Sequence, residues 1–231
     1  MKTIILCGGI GTRLKEETEF KPKPMVLIGG KPMLWHIMKI YKNTGHNEFI
    51  IALGYKGEMI KDYFKQSEFN ITFIDTGQES ETGERLSRVK DYVGDEFMVT
   101  YGDGVSDIDI NKLVEFHRKQ GTIGTITGVH PYSRYGLVRV EGNLATNFEQ
   151  KPLMFDFING GFMVFNRKAF DYFDNGIMEN GLIKLAKEKQ LSVYKYEGFW
   201  KSMDTYREME ELNKLWQTTK PWGNFIKEKE S

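Results

Sequence analysis

The chain has 231 residues, 40% of them hydrophobic and 28% charged, which is the make-up of an ordinary globular protein with room for one large domain or two small ones. Its 32 Lys and Arg balance its 32 Asp and Glu, which argues against a bulk electrostatic partner such as a nucleic-acid backbone or an anionic membrane. Any anion bound here must be met by a local cluster. The single cysteine, Cys7, excludes an intramolecular disulfide and fits a reducing compartment. No apolar run approaches the ~18 residues of a membrane span, and the N-terminus shows no secretory segment, so a cytoplasmic chain is expected.

Taken in chain order, "TIILC" (3–7) is a short apolar strand that runs into glycine. Residues 32–44 begin at Pro and stop at Gly45, with Leu34, Ile37, Met38 and Tyr41 at helical spacing. "EFIIAL" (48–53) predicts a second strand, and residues 56–65 a helix with Met59, Ile60 and Tyr63 inward. "NITFID" (70–75) alternates as a strand, 81–93 contains a helix, and "EFMVTYG" (96–102) is another strand. "INKLVEFHRKQG" (110–121) predicts a helix ended by glycine, with Asp109 as its N-cap. Such alternation implies a mostly parallel sheet covered on both faces. After about residue 122 the pattern changes to strands with little helix between them ("TIGTITGV", "YGLVRVEG", "INGGFMVF"), before a last helix over 203–217. No linker, repeat or low-complexity segment interrupts the chain, so one domain over 1–231 is expected.

Three stretches carry chemistry. In "LCGGIGTRLKEETEFKPKPM" a strand meets Gly8, Gly9 and Gly11, then Thr12 and Arg13, then Lys21 and Lys23 in Lys-Pro pairs. A dinucleotide fingerprint would need a third glycine where Leu14 stands, and a P-loop would need a lysine directly after Gly11. What remains is a loop with backbone donors, one arginine and two stiffened lysines, which suits a polyphosphate. The plainer reading is a glycine turn with solvated charges. In "VTYGDGVSDID" Asp103 follows an apolar strand between glycines, placed either to hold Mg²⁺ or simply to make a turn. In "GFWKSMDT" Asp204 is either a second metal carboxylate or the cap of the last helix. His36 and His117, which lie in helices, read as packing or surface residues.

These pieces, with "KPKPMV", "GKPML", "EQKP" and "NGGF", occur in the order found in the sugar-1-phosphate nucleotidyltransferases, and the chain resembles that family over nearly its whole length. Within it, "TYGDGVSDIDI", "GFW" and "MDT" are most similar to the branch that joins CTP to glucose 1-phosphate. The resemblance implies an α/β fold, Rossmann-like, with a mostly parallel sheet and a mixed C-terminal part. It also implies a Mg²⁺-dependent cytidylyltransferase that takes CTP and a phosphorylated small-molecule acceptor, works as a homo-oligomer and binds neither nucleic acid nor membrane. Carried over residue by residue, Leu6, Gly8, Gly9, Gly11, Thr12, Arg13, Lys23, Arg85, Gly102 and Asp103 would meet the nucleotide. Arg13, Lys23 and Asp103 would act in transfer, and Asp103 with Asp204 would hold the metal. Glu149, Gln150, Lys151, Asn159, Gly160 and Gly161 would meet the acceptor, with Lys151 on its phosphate. Arg85 matches an arginine that reaches bound nucleotide-sugar. The polar residues of 75–86 and the opening loop are the candidates for reading the base.

Two departures stand out. Gln150 occupies a place where many members carry Glu, with Glu149 preceding it, and the segment between Phe64 and Asp75 is shorter than in that branch. The alternatives are the same chemistry on another acceptor or nucleotide, or a catalytically inactive binding protein on this fold. The chemistry needs no general base: a phosphate monoester has its second pKa at about 6 and is largely a dianion at neutral pH. The need is for cations that offset the repulsion of two anions and align them.

Overall fold

A computed structural model describes residues 1–9, 11 and 20–223. Thr12 and Arg13 therefore lie outside the described residues. Among those described, seven strands form one sheet in the order β12-β8-β11-β6-β1-β4-β5. These are β1 (Lys2–Cys7), β4 (Glu48–Leu53), β5 (Asn70–Asp75), β6 (Glu96–Tyr101), β8 (Gly124–Val129), β11 (Ile158–Asn166) and β12 (Leu191–Lys195). β1 is parallel to β4 and β6, β4 to β5, and β8 to β12, whereas β11 runs antiparallel to both its neighbours. The expected mostly parallel sheet with a mixed C-terminal part is what forms.

The period of two along each strand divides the core. Ile5 and Cys7 of β1 and Phe49, Ile51 and Leu53 of β4 enter one cluster. Ile4, Leu6, Ile50 and Ala52 enter the other. The first face is covered by α1 (Met33–Asn43), α2 (Gly57–Phe64), α4 (Ile110–Gln120) and α6 (Tyr206–Gln217), which bring in Tyr41, Ile60, Leu113 and Leu212. The second is covered by α3 (Thr82–Arg88) and α5 (Met178–Lys187) through Leu86, Met178, Leu182 and Leu185.

Leu34, Ile37, Met38 and Tyr41 are all buried, as their spacing predicts. Asp109 caps α4, accepting from the backbone N–H groups of Asn111 and Lys112. Two expectations need correction. In α2 it is Ile60 and Phe64 that are buried, while Met59 and Tyr63 are 42% and 47% exposed. And α5 is a full helix between β11 and β12, where little helix was expected. Its apolar residues recur at Met178, Leu182 and Leu185, but Asn180 and Gly181 interrupt the pattern. Gly181 is there for packing, because a Cβ would lie 2.7 Å from the Phe173 ring and 2.9 Å from the Tyr172 carbonyl.

Three small pairs sit outside the main sheet. β2 (Leu27–Ile28) pairs with β3 (Lys31–Pro32), β7 (Gly104–Ser106) with β13 (Trp200–Ser202), and β9 (Gly136–Glu141) with β10 (Leu144–Gln150). The last is an exposed ribbon.

Candidate active site

Parallel strands present their carboxyl ends at one edge, and the site is built there. β1 ends at Cys7 and passes into Gly8 and Gly9. β6 ends at Tyr101 and passes into Gly102 and Asp103. The two ends are held together because Gly102 donates its N–H to the carbonyl of Leu6 at 3.1 Å. Position 102 has no room for a side chain: a Cβ would stand 2.9 Å from Pro24 Cγ and 3.0 Å from the Leu6 carbonyl oxygen.

Pro24 belongs to the Lys-Pro pairs, which form a 3₁₀ turn at Lys23–Met25 with Pro22 extended before it. The turn packs its proline under Gly102 and lifts Lys23 toward Asp103. Lys23 Nζ donates to Asp103 Oδ2 at 2.6 Å and to Asp204 Oδ1 at 2.7 Å. The lysine side chain is only 14% exposed and the carboxylates 29% and 23%. Burial disfavours the Lys23 ammonium, but Asp103 and then Asp204 outweigh it, and its pKa rises above the ordinary lysine value.

Asp103 and Asp204 meet through the short antiparallel pair of β7 and β13. Ser202 stands opposite Gly104, and Met203 donates its N–H to the Asp103 carbonyl at 2.9 Å. Asp204 does not cap the last helix. Thr205 does, in a capping box with Glu208, whose carboxylate also accepts from the N–H of Asp204. The Asp204 side chain is thereby left to meet Lys23. Arg134 Nη2 stands 3.8 Å from Asp204 Oδ2, a cation that the sequence did not single out.

Beside this cluster lies a cleft of about 270 Å³ lined by Leu6, Gly8, Gly9, Gly11, Lys23 and Asp103, with Ser80 to Thr82 of the 75–86 segment on the far wall. Gly11 has φ 72°, the conformation that glycine tolerates. Cys7 is on its floor, where burial first and Asp103 second push the thiol pKa far up, so it stays a neutral thiol. Arg85 also lines the cleft, but its guanidinium faces backbone carbonyls.

The expected acceptor residues divide into two groups. Asn159, Gly160 and Gly161 begin β11, whose antiparallel direction brings its start to the same edge as the ends of β1 and β6. Asn159 Oδ1 accepts from Gly161 N–H at 3.0 Å, and its Nδ2 makes a long contact of 3.5 Å to the Tyr101 hydroxyl. Gly161 has φ 83°, and a Cβ there would meet the Tyr101 ring at 2.6 Å. Trp200 Nε1 donates to the Gly160 carbonyl at 2.7 Å, tying this segment to β13. Tyr101 in turn donates to Glu179 at the start of α5. Glu149, Gln150 and Lys151 are at the end of the β9–β10 ribbon, and no hydrogen bond or ion pair joins them to the cluster among the described residues. Glu149 and Gln150 pair opposite Leu137 and Gly136, so their side chains leave opposite faces of the ribbon.

The class follows from this edge and from the comparisons. The family model described as nucleotidyl transferase matches residues 2–200, and the chain belongs to that family. It is 43% identical to a probable glucose-1-phosphate cytidylyltransferase of Bacillus subtilis, covering 96% of this chain and 100% of the relative. It is 42% identical to a glucose-1-phosphate cytidylyltransferase of Salmonella typhi, covering 96% and 98%. The first alignment runs to 254 positions against a chain of 231, so that relative carries residues this chain lacks. Among solved structures, HddC from Yersinia pseudotuberculosis complexed with GMP-PN matches with a TM-score of 0.72 at 26% identity, over 92% of this chain and 98% of that one. The protein is a nucleotidyltransferase. Members of this family generally use a divalent metal.

Proposed function

We propose that the protein transfers a cytidylyl group from CTP to glucose 1-phosphate, giving CDP-glucose and pyrophosphate. The reading rests on the likeness to glucose-1-phosphate cytidylyltransferases over nearly the whole chain. The observation that carries the chemistry is the Lys23 ammonium held between Asp103 and Asp204 at the lip of a glycine-lined cleft.

The two carboxylates already share one cation, each within 2.7 Å of the same nitrogen. Hard oxygen donors converging in this way fit Mg²⁺, which takes one or two protein carboxylates and fills its sphere with water and phosphate oxygens. Asp103 and Asp204 would hold it, and it would neutralise charge on the α-phosphate.

The chain's own residues then do three things. The loop at Gly8, Gly9 and Gly11 offers backbone donors to the phosphates, with Thr12 and Arg13 beside it in sequence. Ser80, Glu81 and Thr82 face the same cleft, where a base can be read. Lys23 faces the place where negative charge builds as the acceptor's phosphate oxygen attacks the α-phosphorus. The bond from that phosphorus to the bridging oxygen breaks, and pyrophosphate leaves with the electron pair. No side chain has to take a proton, because the acceptor arrives as a dianion. Lys151, Asn159, Gly160 and Gly161 serve the acceptor, and Gln150 in place of a carboxylate leaves a weaker, uncharged contact to a sugar hydroxyl.

The 231 residues act as one domain, in the cytoplasm and as a homo-oligomer. A buried, unpaired cysteine supports the reducing compartment, and no helix among the described residues is long and apolar enough to cross a membrane. Pyrophosphate release across CTP, UTP, ATP and GTP, each with glucose 1-phosphate and with other phosphorylated acceptors, tests the reading. CTP with glucose 1-phosphate should give the highest kcat/KM, with UTP the strongest competitor. A purine preference, or turnover only with another acceptor, would replace it.

A further inference from the structure

One buried cation in the cleft is not spent on the transfer itself. Arg85, on α3, is 3% exposed and stands directly behind the glycine loop. Its Nη1 donates to the Leu53 carbonyl (3.1 Å), the Thr76 hydroxyl (2.8 Å) and the Gly77 carbonyl (2.7 Å). Its Nη2 donates to the carbonyls of Gly8 and Gln78, both at 3.1 Å. The two terminal nitrogens of a guanidinium carry four hydrogens, and here they meet five acceptors. No carboxylate among the described residues forms an ion pair with it. Burial lowers its pKa from the ordinary arginine value, against an opposing pull from Glu84, yet a guanidinium stays charged.

The fit is close. A Cβ on Gly8 would overlap the guanidinium, and one on Gly54 would lie 2.6 Å from its Nη1. With the guanidinium in this place, position 8 has no room for a side chain, and position 54 is closed by the guanidinium together with the Gly8 backbone, 2.7 Å from such a Cβ. The Gly8 carbonyl accepts a second bond, from Tyr55 N–H at 3.2 Å, which fixes it inward. In a trans peptide the carbonyl and the next N–H point in opposite directions. A Gly8 carbonyl held inward therefore turns the Gly9 N–H outward, where Gly9 has open space around it. The same guanidinium grips Gly77 and Gln78, which lead into the opposite wall of the cleft.

We infer that Arg85 is a positioning residue for the nucleotide's phosphates: it aims the donors of the glycine loop and sets the distance between the two walls, without touching the base. This rests on the nucleotidyl-transfer reading of the cleft. It differs from a direct contact through the guanidinium fork because both terminal nitrogens already donate to the protein's own acceptors. A lysine cannot substitute, since its single nitrogen cannot hold Gly8 and Gly77–Gln78 together.

The test measures binding of CTP, UTP and base-free inorganic tripolyphosphate by calorimetry, in wild type and Arg85→Lys, alongside kcat, KM and the melting temperature. Positioning predicts that all three ligands weaken by one common factor, roughly tenfold, the scale of about 1.4 kcal/mol. KM for CTP should rise with it, and the CTP-to-UTP ratio should stay as in wild type. Weaker CTP binding with unchanged tripolyphosphate binding would overturn the inference in favour of a base contact. Unchanged affinities with only a lower melting temperature would overturn it in favour of a purely structural role. If Arg85→Lys does not fold, Thr76→Val removes one acceptor at little change in volume. It should weaken the three ligands uniformly by a few-fold, and unchanged affinities there would equally overturn the inference. Failure of the cytidylyl-transfer reading shows separately, as wild type that binds tripolyphosphate but turns over no CTP.

Discussion

The N–H of Met203 donates to the carbonyl of Asp103 at 2.9 Å. Through that bond and the adjoining pairing of Ser202 with Gly104, carboxylates from the middle and the end of the chain stand on one lysine. The arrangement is electrostatic throughout: one cation between two anions, partly buried, beside a loop of backbone donors.

Asp103→Asn and Asp204→Asn should each leave the fold intact and lower turnover by ~10²-fold or more, the scale for losing one preorganised electrostatic contact. Pyrophosphate release with Mg²⁺ present reads the effect, and circular dichroism checks the fold. Near-normal activity in either variant would take that residue out of the proposed metal site.

Lys23→Ala should lower kcat more than it raises KM for the nucleotide, because negative charge grows at Lys23 only as the bond to pyrophosphate breaks. A change confined to KM would make Lys23 a binding contact alone.

The pH profile should follow the acceptor. The raised pKa of Lys23 keeps it charged well beyond neutral pH, and no histidine lines the cleft among the described residues. Initial rates should be level from about pH 7 to 9 and fall below about pH 6, as the acceptor's phosphate gains a proton. An acceptor with a lower second pKa should move the fall by the same amount. A transition near neutrality that stays put when the acceptor is changed would point to a protein base.

His36 should make stability pH-dependent. It is fully buried; Nε2 donates to the Ile28 carbonyl at 2.8 Å and Nδ1 accepts from Trp222 Nε1 at 3.2 Å, so the ring is neutral. Burial holds its pKa at about 4, below the unfolded value of 6.5. A base with a depressed folded pKa contributes stability that is present above 6.5 and lost as pH falls toward 4. Chemical denaturation should show wild type losing up to about 3 kcal/mol over that window relative to His36→Gln. Parallel profiles for the two proteins would contradict this.

Much of the site was legible because its residues punctuate strands. Strand-to-glycine steps at Cys7–Gly8 and Tyr101–Gly102 mark the carboxyl edge, and the Lys-Pro pairs announce a stiff turn at Lys23. What joins these pieces was not legible. β7 and β13 are three residues each, too short for any periodicity, yet they bring Asp204 to Asp103. That Asp204 is not the cap of the last helix was decided by Thr205, which forms the capping box with Glu208 once the helix start is fixed. α5 was hidden by Gly181, a helix-weakening residue placed for close packing on Phe173. Arg134 lies on a connection with no pattern of its own, so only the fold shows it beside Asp204.

The proposed reaction is direct transfer of the cytidylyl group to the phosphate of glucose 1-phosphate at the Lys23 cluster. Its most direct test is ³¹P NMR of the wild-type reaction with CTP and glucose 1-phosphate carrying ¹⁸O in its phosphate. CDP-glucose and pyrophosphate should form in equal amounts, with all the label in CDP-glucose and none in pyrophosphate. Label in pyrophosphate, or no CDP-glucose while another nucleotide or acceptor is consumed, would contradict it.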